Sequence, residues 1–323
     1  MNVTALFDEI KDDLTQVEQH ILSHLNTEIP LLNEVGQYIL EAGGKRLRPA
    51  LMLFSSRMFD QPDERIYTAA SALEYLHTAT LLHDDVVDEA DTRRAKKAAR
   101  MIWGNQASVL VGDYLLATAF RNLTLLKNQE VLETVSEVTS MMAKGEILQL
   151  IRRFDSATEQ DYMDIIINKT ACLFAAASKI GAVYHGASDE HARALYEYGM
   201  AMGIAFQIVD DALDYAENRD KVGKPLGIDL KERKVTLPLS RLLQVADEPE
   251  KRRLGEILKK EEITDADVLE VMGMMKTHEV IAYTLAEARR HTERGKAHLD
   301  ALPDRPVKTT LKRLADFVVD RDF

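Results

Sequence analysis

An all-α fold is predicted by three features of the 323-residue chain. No proline occurs between Pro62 and Pro225, and proline is the residue that punctuates turns and helix starts. The same stretch is rich in Ala, Leu, Met and Glu, with apolar positions three and four apart, as at Val131, Val135, Val138 and Met142. Alternating period-two runs are scarce. No Ser/Gly linker, fixed-period repeat or shift in composition divides the chain, so residues 1–323 read as one all-α domain.

Helices are expected over 5–25 and 30–42, the second opening at Pro30 and ending at the Gly43-Gly44 pair. A helix over 48–59 opens around Pro49, and Pro62 precedes the next, over 64–91. The uninterrupted middle supplies helices over 106–127, 130–154, 159–183 and 189–216, with loops near 91–104 and Gly186. After a loop over 217–233, shorter helices are expected over 235–246, 250–260 and 265–274, then 277–300 and 307–320. Aromatic residues make up only 6% of the chain, so the expected core is mostly aliphatic.

Lys and Arg total 41 against 53 Asp and Glu, a formal charge of −12 that repels polyanions and argues against a nucleic-acid partner. Cys172 is the only cysteine, which leaves no internal disulfide. The opening residues 1–16 mix charge into every turn, so no signal peptide is expected and the cytoplasm is the expected location. The least polar stretch, 107–120, contains Asp113 and falls short of the ~20 apolar residues that a membrane span requires. An integral membrane protein is therefore not expected.

Chemistry enters with Asp84-Asp85-Val86-Val87-Asp88, set inside an otherwise apolar helical run. The first and last carboxylates are four residues apart and share one helix face, with Asp85 beside them. Three like charges this close repel and lose hydration near apolar neighbours, so the run is either a solvated face, a capping run or a cation site. Mg²⁺ suits it, since that ion takes one or two carboxylates, keeps some waters and completes its octahedron with substrate phosphates. Asp210-Asp211-Ala212-Leu213-Asp214 repeats the spacing after a second apolar run, 202–209. Two such helices face to face would bracket several Mg²⁺ ions and one diphosphate. Asp84, Asp85, Asp88, Asp210, Asp211 and Asp214 are thus the expected metal ligands.

Basic residues sit at loops around these helices. Lys45 and Arg48 flank a helix entrance in Gly43–Pro49, where backbone N–H groups also favour an anion. Arg93-Arg94 follows the first cluster, Lys169-Thr170 lies between the clusters, and Lys224 and Lys234 flank the loop after the second. Each alone reads as a solvated cation; ordered around two aspartate clusters, they outline two phosphate pockets. His77, seven residues before Asp84, shares the azimuth of the first cluster, whereas His83 lies off that stripe and reads as a packing residue. Cys172, within a run of small residues, reads as packing too.

Together these segments resemble the trans-isoprenyl diphosphate synthases. Gly43–Pro49, the first cluster with Arg93-Arg94, Gly145-Glu146 with Gln149, Lys169-Thr170, Phe206-Gln207 before the second cluster, Gly223-Lys224, and Lys234 with Thr236-Leu237-Pro238 follow that family's order and spacing from about residue 30 onward. The resemblance implies an isoprenoid-synthase helical bundle around a central cavity, and Mg²⁺, three ions per site with the allylic diphosphate bound. It implies that the six aspartates, with Arg93, Lys169, Lys224 and Lys234, handle the allylic diphosphate, and that Lys45, Arg48, His77 and Arg94 bind isopentenyl diphosphate. Thr170 and Gln207 would direct oxygen dipoles at the allylic cation. A homodimer is implied as well.

Ala79 and Thr80 lie about one turn before Asp84 and are small where short-chain members often carry aromatics. With the two-residue spacer of the first cluster, they resemble the long-chain class, and the resemblance as a whole implies octaprenyl, for a quinone side chain, as the expected length and farnesyl diphosphate as the primer. Met141, Met142 and Leu148 are candidates for the deeper floor. The rival readings are a shorter-chain synthase, a non-catalytic subunit of a heteromeric synthase, and a terpene cyclase. Two departures touch loops: Ala95-Lys96-Lys97-Ala98 stands where the family usually has Gly and Pro, which predicts a more helix-prone loop, and Arg233 stands where a glycine commonly precedes Lys234.

Overall fold

The computed structural model describes residues 3–25, 27–41, 46–94, 96–152, 156, 158–216 and 226–320. Helices α1 (Val3–Asp8), α2 (Lys11–Leu25), α3 (Pro30–Glu41), α4 (Leu47–Arg57) and α5 (Glu64–Val87) come first. A two-stranded hairpin, β1 (Thr92–Arg93) and β2 (Lys96–Lys97), leads into α6 (Ala99–Leu125) and α7 (Gln129–Ile151). Helix α8 (Glu159–Ile166) runs through a π turn (Ile167–Ala171) into α9 (Cys172–Val183), and α10 (Asp189–Leu213) follows. The chain continues with α11 (Ile228–Lys231), α12 (Leu237–Val245), α13 (Glu248–Leu258), α14 (Asp265–Thr277), α15 (Val280–His298) and α16 (Pro306–Asp320). The fold is all-α, as expected.

Helix starts are set by side-chain caps. Asp63, Asn128, Thr158, Ser188, Asp247 and Thr264 each accept a backbone N–H of the helix they precede, offsetting donors that have no intrahelical partner. Two expectations change. Residues 5–25 form two helices broken at 9–10, and the segment after Arg94 is not helical: Thr92 pairs with Lys97 and Arg93 with Lys96 in an antiparallel hairpin. Arg94 enters its turn at φ 52°, the left-handed geometry such tight turns use. Helix α6 begins at Ala99 but bends at Gly104 (φ 85°), so its regular turns resume near the expected start.

The core is built on α10, packed between α9 and α15, with α5 against α6 and α4 against α9. Small residues allow the closest approach. A Cβ at Gly199 would lie 2.5 Å from the Phe174 carbonyl oxygen, and one at Gly203 would lie 2.5 Å from Ala171 Cα. The buried set is dominated by Leu, Ile, Val and Ala, each large aliphatic side chain contributing about 1.5–3 kcal/mol on burial. Residues 159–183 are apolar and long enough to cross a membrane, but 78% of that apolar window is buried inside the protein, the placement of a core helix.

A second apolar cluster gathers Tyr215, just past α10, with Leu230, Leu242, Ile257, Val271 and Val280 from α11 to α15. Beside it Asp267 closes a capping box with Thr264 and accepts from Lys260 Nζ at 2.5 Å. Those bonds, that from Lys260 first, hold its carboxyl down to about 2. A depressed folded value means that the stabilisation is present above the unfolded value near 4 and is lost as pH falls from about 4 to 2. Asp267→Asn should therefore lower the melting temperature at pH 7 and flatten its decline between pH 4 and 2; thermal melts at stepped pH with the wild-type slope retained would contradict this.

Candidate active site

Both aspartate clusters sit at the C-terminal ends of long helices. Asp84 and Asp85 close α5 with Asp88 as its C-cap, and Asp210 and Asp211 close α10 with Asp214 as its C-cap. The helix macrodipole is negative there, so it opposes carboxylates instead of supporting them. Asp85, Asp211 and Asp214 are also buried. At ~5 Å and an effective dielectric near 20, each carboxylate pair repels by roughly 3 kcal/mol. The site must therefore be balanced by cations.

Lys169 and Lys234 provide part of that balance. Lys169 Nζ lies 2.6 Å from Glu146 Oε1 and 3.5 Å from Asp84 Oδ2. Lys234 Nζ lies 3.4 Å from Asp88 Oδ2 and 2.6 Å from Glu232 Oε2. Burial opposes the charge of Lys234, but Glu232 and Asp88 outweigh it and hold the ammonium above its usual range. Burial also pushes Asp211 and Asp229 up, with Asp214 adding to both. The backbone N–H of Asp229 donates to Asp214 Oδ2 at 2.9 Å, so the α11 turn is fastened to the second cluster.

Local backbone devices deliver these cations. Lys169 and Thr170 project from the π turn, an extra residue inserted in a helix of the kind that recurs at functional sites. Gly145 of α7 faces that turn, and a Cβ there would lie 2.5 Å from the Lys169 backbone nitrogen. Lys234 follows Arg233, which adopts φ 56°, the left-handed region glycine favours. That geometry costs a non-glycine residue about 1–2 kcal/mol. Arg233 offsets it by donating to the carbonyls of Lys260, Glu261 (3.2 Å) and Leu258 (3.5 Å), so the departure from glycine leaves the turn in place.

The expected ligands separate into groups. Asp84 and Asp88 each meet a lysine, whereas Asp85 is 2% exposed and accepts from Arg93 through Nε at 2.7 Å and through a second guanidinium nitrogen. In the second cluster Thr170 donates to Gln207 Oε1 at 3.0 Å, and Gln207 Nε2 donates to Asp211 Oδ1 at 2.8 Å. Thr170, Gln207, Lys169, Asp211, Asp229 and Lys234 line an open cavity of about 490 Å³ with Gln149 and Tyr162. Among the described residues no three His, Cys, Asp or Glu side chains converge into a metal cage. Lys45 and Lys224 lie outside the described residues.

A cluster of arginines, Arg46, Arg48, Arg93 and Arg94, surrounds His77. Arg48 stacks over the Phe174 ring at 4.6 Å, its Nε is buried without a hydrogen-bond partner, and burial holds its guanidinium down to about 10. Burial and then Arg48, Arg94, Arg93 and Arg46 push His77 well below its usual range, so it is a neutral imidazole at pH 7. Burial likewise lowers Arg94. An unpartnered guanidinium donor among like charges is what an anion would satisfy. His83 packs on α6, with Nε2 3.2 Å from the Val109 carbonyl, and Cys172 is buried with its thiol pushed up to about 12, so both act in packing. Sequence reading missed Glu74, Tyr162, Asp229 and Glu232; only Asp229 and Glu232 carried a signal, their nearness to Lys234.

A helical bundle with two acidic helix ends, lysines bridging to the first and an arginine cluster beside it, defines the class, and comparison with known proteins agrees. Residues 29–275 match the family model described as Polyprenyl synthetase. The chain is 38% identical to octaprenyl diphosphate synthase of Escherichia coli strain K12 over the full length of both. It superposes on a decaprenyl diphosphate synthase from Rhodobacter capsulatus (TM-score 0.92, 38% identity, 98% of each chain). It also superposes on a polyprenyl synthase from Caulobacter crescentus CB15 complexed with calcium and isoprenyl diphosphate (TM-score 0.94, 36% identity, 99% of this chain and 98% of that one). The chain belongs to the polyprenyl synthetase family. It is a prenyltransferase of the trans-prenyl diphosphate synthase type, with long-chain homologues.

Proposed function

We propose that the protein adds isopentenyl diphosphate head-to-tail to an allylic diphosphate, farnesyl diphosphate, and builds an all-trans polyprenyl diphosphate of octaprenyl length for quinone side chains in the cytoplasm. The observation that carries this reading is the first acidic helix end, met by Lys169 at Asp84 and by Lys234 at Asp88, with both lysines lining one cavity with Asp211 of the second end. The donor set fits Mg²⁺: hard carboxylate oxygens in a polar cavity, with room for water and phosphate oxygens to complete the shell. When bound, three ions per site would neutralise the departing diphosphate. Asp84, Asp88, Asp210, Asp211 and Asp214 would hold them, while Asp85 holds Arg93. That a solved relative contains calcium and isoprenyl diphosphate supports the assignment.

In this reading Arg93, Lys169, Lys224 and Lys234 bind the allylic diphosphate, and Lys45, Arg48, His77 and Arg94 bind isopentenyl diphosphate. The allylic C–O bond breaks with its electron pair leaving on diphosphate. The isopentenyl double bond then attacks the allylic carbon, and a proton passes to the released diphosphate, restoring an allylic product. Thr170, whose proton is committed to Gln207, turns its oxygen lone pairs to the cation. Asp84→Ala and Asp210→Ala should each lower turnover by about 100-fold or more with an unchanged helical circular-dichroism spectrum. Labelled isopentenyl diphosphate and farnesyl diphosphate supply the assay; Mg²⁺-dependent turnover surviving in both variants would remove the metal assignment, and an inactive wild-type chain would favour the non-catalytic-subunit reading.

Chain length rests on the wall beneath the first cluster. Ala79 is buried and Thr80 is half-buried with its hydroxyl donating to the His77 carbonyl at 2.8 Å, so neither closes the path of a growing tail. One turn of helix rises 5.4 Å, close to one isoprene unit. Ala79→Phe should shorten the products to farnesyl or geranylgeranyl length, whereas an unchanged ladder on chromatography would place the floor elsewhere, at Met141, Met142 or Leu148.

A homodimer is proposed through α6. Met101, Ile102, Val109, Leu110 and Leu125 are large apolar side chains exposed along it, Leu110 to 67%. Sedimentation should give twice the chain mass, and Leu110→Glu should release monomer; a monomeric wild type would refute the dimer.

A further inference from the structure

The cations assigned to isopentenyl diphosphate surround a carboxylate that has no place among substrate ligands. Glu74 lies on α5 one turn before His77, is 5% exposed, and accepts from an Arg46 guanidinium nitrogen at 2.8 Å. It is the strongest opposing charge acting on both Arg48 and Arg94. A buried acid in an anion pocket weakens the pocket's attraction for its ligand, so its presence needs a geometric reason.

Arg46 supplies that reason. It is the residue from which α4 begins, two before Arg48, and its backbone is left-handed at φ 48°. A non-glycine residue holds that conformation only when its surroundings restrain it. The restraint comes from its side chain: the guanidinium is pinned to Glu74 and lies 3.7 Å from Glu18 Oε1. With Arg46 pinned, the first turn of α4 is fixed against α5, and Arg48 is fixed with it over Phe174, near enough for its charge to act on His77.

We propose that Glu74, acting through Arg46, is a positioning residue of the isopentenyl diphosphate pocket, fixing the turn into α4 that carries Arg48. The inference rests on the substrate assignment above. Glu74 trades net attraction for geometry: it subtracts one charge from the pocket and in return sets where Arg48 stands.

The test is steady-state kinetics of the full chain with each substrate varied in turn. In Glu74→Gln, KM for isopentenyl diphosphate should rise about tenfold or more, while kcat and KM for the allylic primer stay within about threefold of wild type. Glu74→Asp should recover part of the loss. Arg46→Lys should show the same split, and the Glu74→Gln/Arg46→Lys pair should be no worse than the weaker single variant, since both break one linkage. A fall in KM for isopentenyl diphosphate would overturn the proposal, because it would make Glu74 a simple opposing charge. Equal losses for both substrates with a lowered melting temperature would overturn it in favour of a general structural role. Should Glu74→Gln fail to fold, Glu74→Asp and Arg46→Lys carry the decision, and unchanged constants or unfolding in both count against it. A wild-type chain that turns over no isopentenyl diphosphate refutes the substrate assignment instead, so the two failures are distinct.

Discussion

Carboxylates crowded at the C-terminal ends of two long helices are the constraint on which the architecture turns. The macrodipole opposes them, burial opposes them, and they oppose one another. Without cations such an arrangement would splay or neutralise itself by binding protons. The fold answers with Lys169 at Asp84, Lys234 at Asp88 and Arg93 at Asp85, three cations that reach the first cluster from three different elements. Those partners are also the groups proposed to meet a diphosphate, so in that reading the charge balance of the resting site and the recognition of its substrate draw on the same side chains.

Putting cations there strains the backbone. The π turn at Ile167–Ala171 inserts a residue into an otherwise continuous core helix, and Gly145 lets α7 come close enough to seat it. Arg46, Arg94 and Arg233 all adopt left-handed φ values, each at a cost of about 1–2 kcal/mol, and each stands at or next to a cation proposed to bind phosphate. Arg46 and Arg233 show how the cost is offset: the guanidinium of the strained residue itself bonds a carboxylate or a set of carbonyls. In this chain arginine does, by side-chain anchoring, what glycine does elsewhere by conformational freedom.

Much of this was legible beforehand. Proline spacing and the three-four apolar period marked the long helices, because both report local backbone preferences that tertiary packing left undisturbed. The repeated aspartate spacing marked the two acidic helix ends, since four residues is one turn whatever the helix packs against. The hairpin after Arg94 was not legible: Ala95-Lys96-Lys97-Ala98 has good helix propensity, and the left-handed turn at Arg94 with the pairing of 92–93 to 96–97 overrode it. The π turn was equally hidden, because it comes from the packing of Gly145 against Lys169.

Sequence by itself determined the helical class, the positions of the six aspartates and the identity of the cations around them, because these follow from residue type and from spacing along one helix. Tertiary structure alone decided which aspartate does what: Asp84 and Asp88 meet lysines across the cavity, while Asp85, one residue away, is claimed by Arg93. It also decided that Glu74, unremarkable in the sequence, is a buried anion among arginines. The physical reason is the same in each case. Helical spacing sets the direction in which a side chain points, but only the neighbouring elements set what it meets.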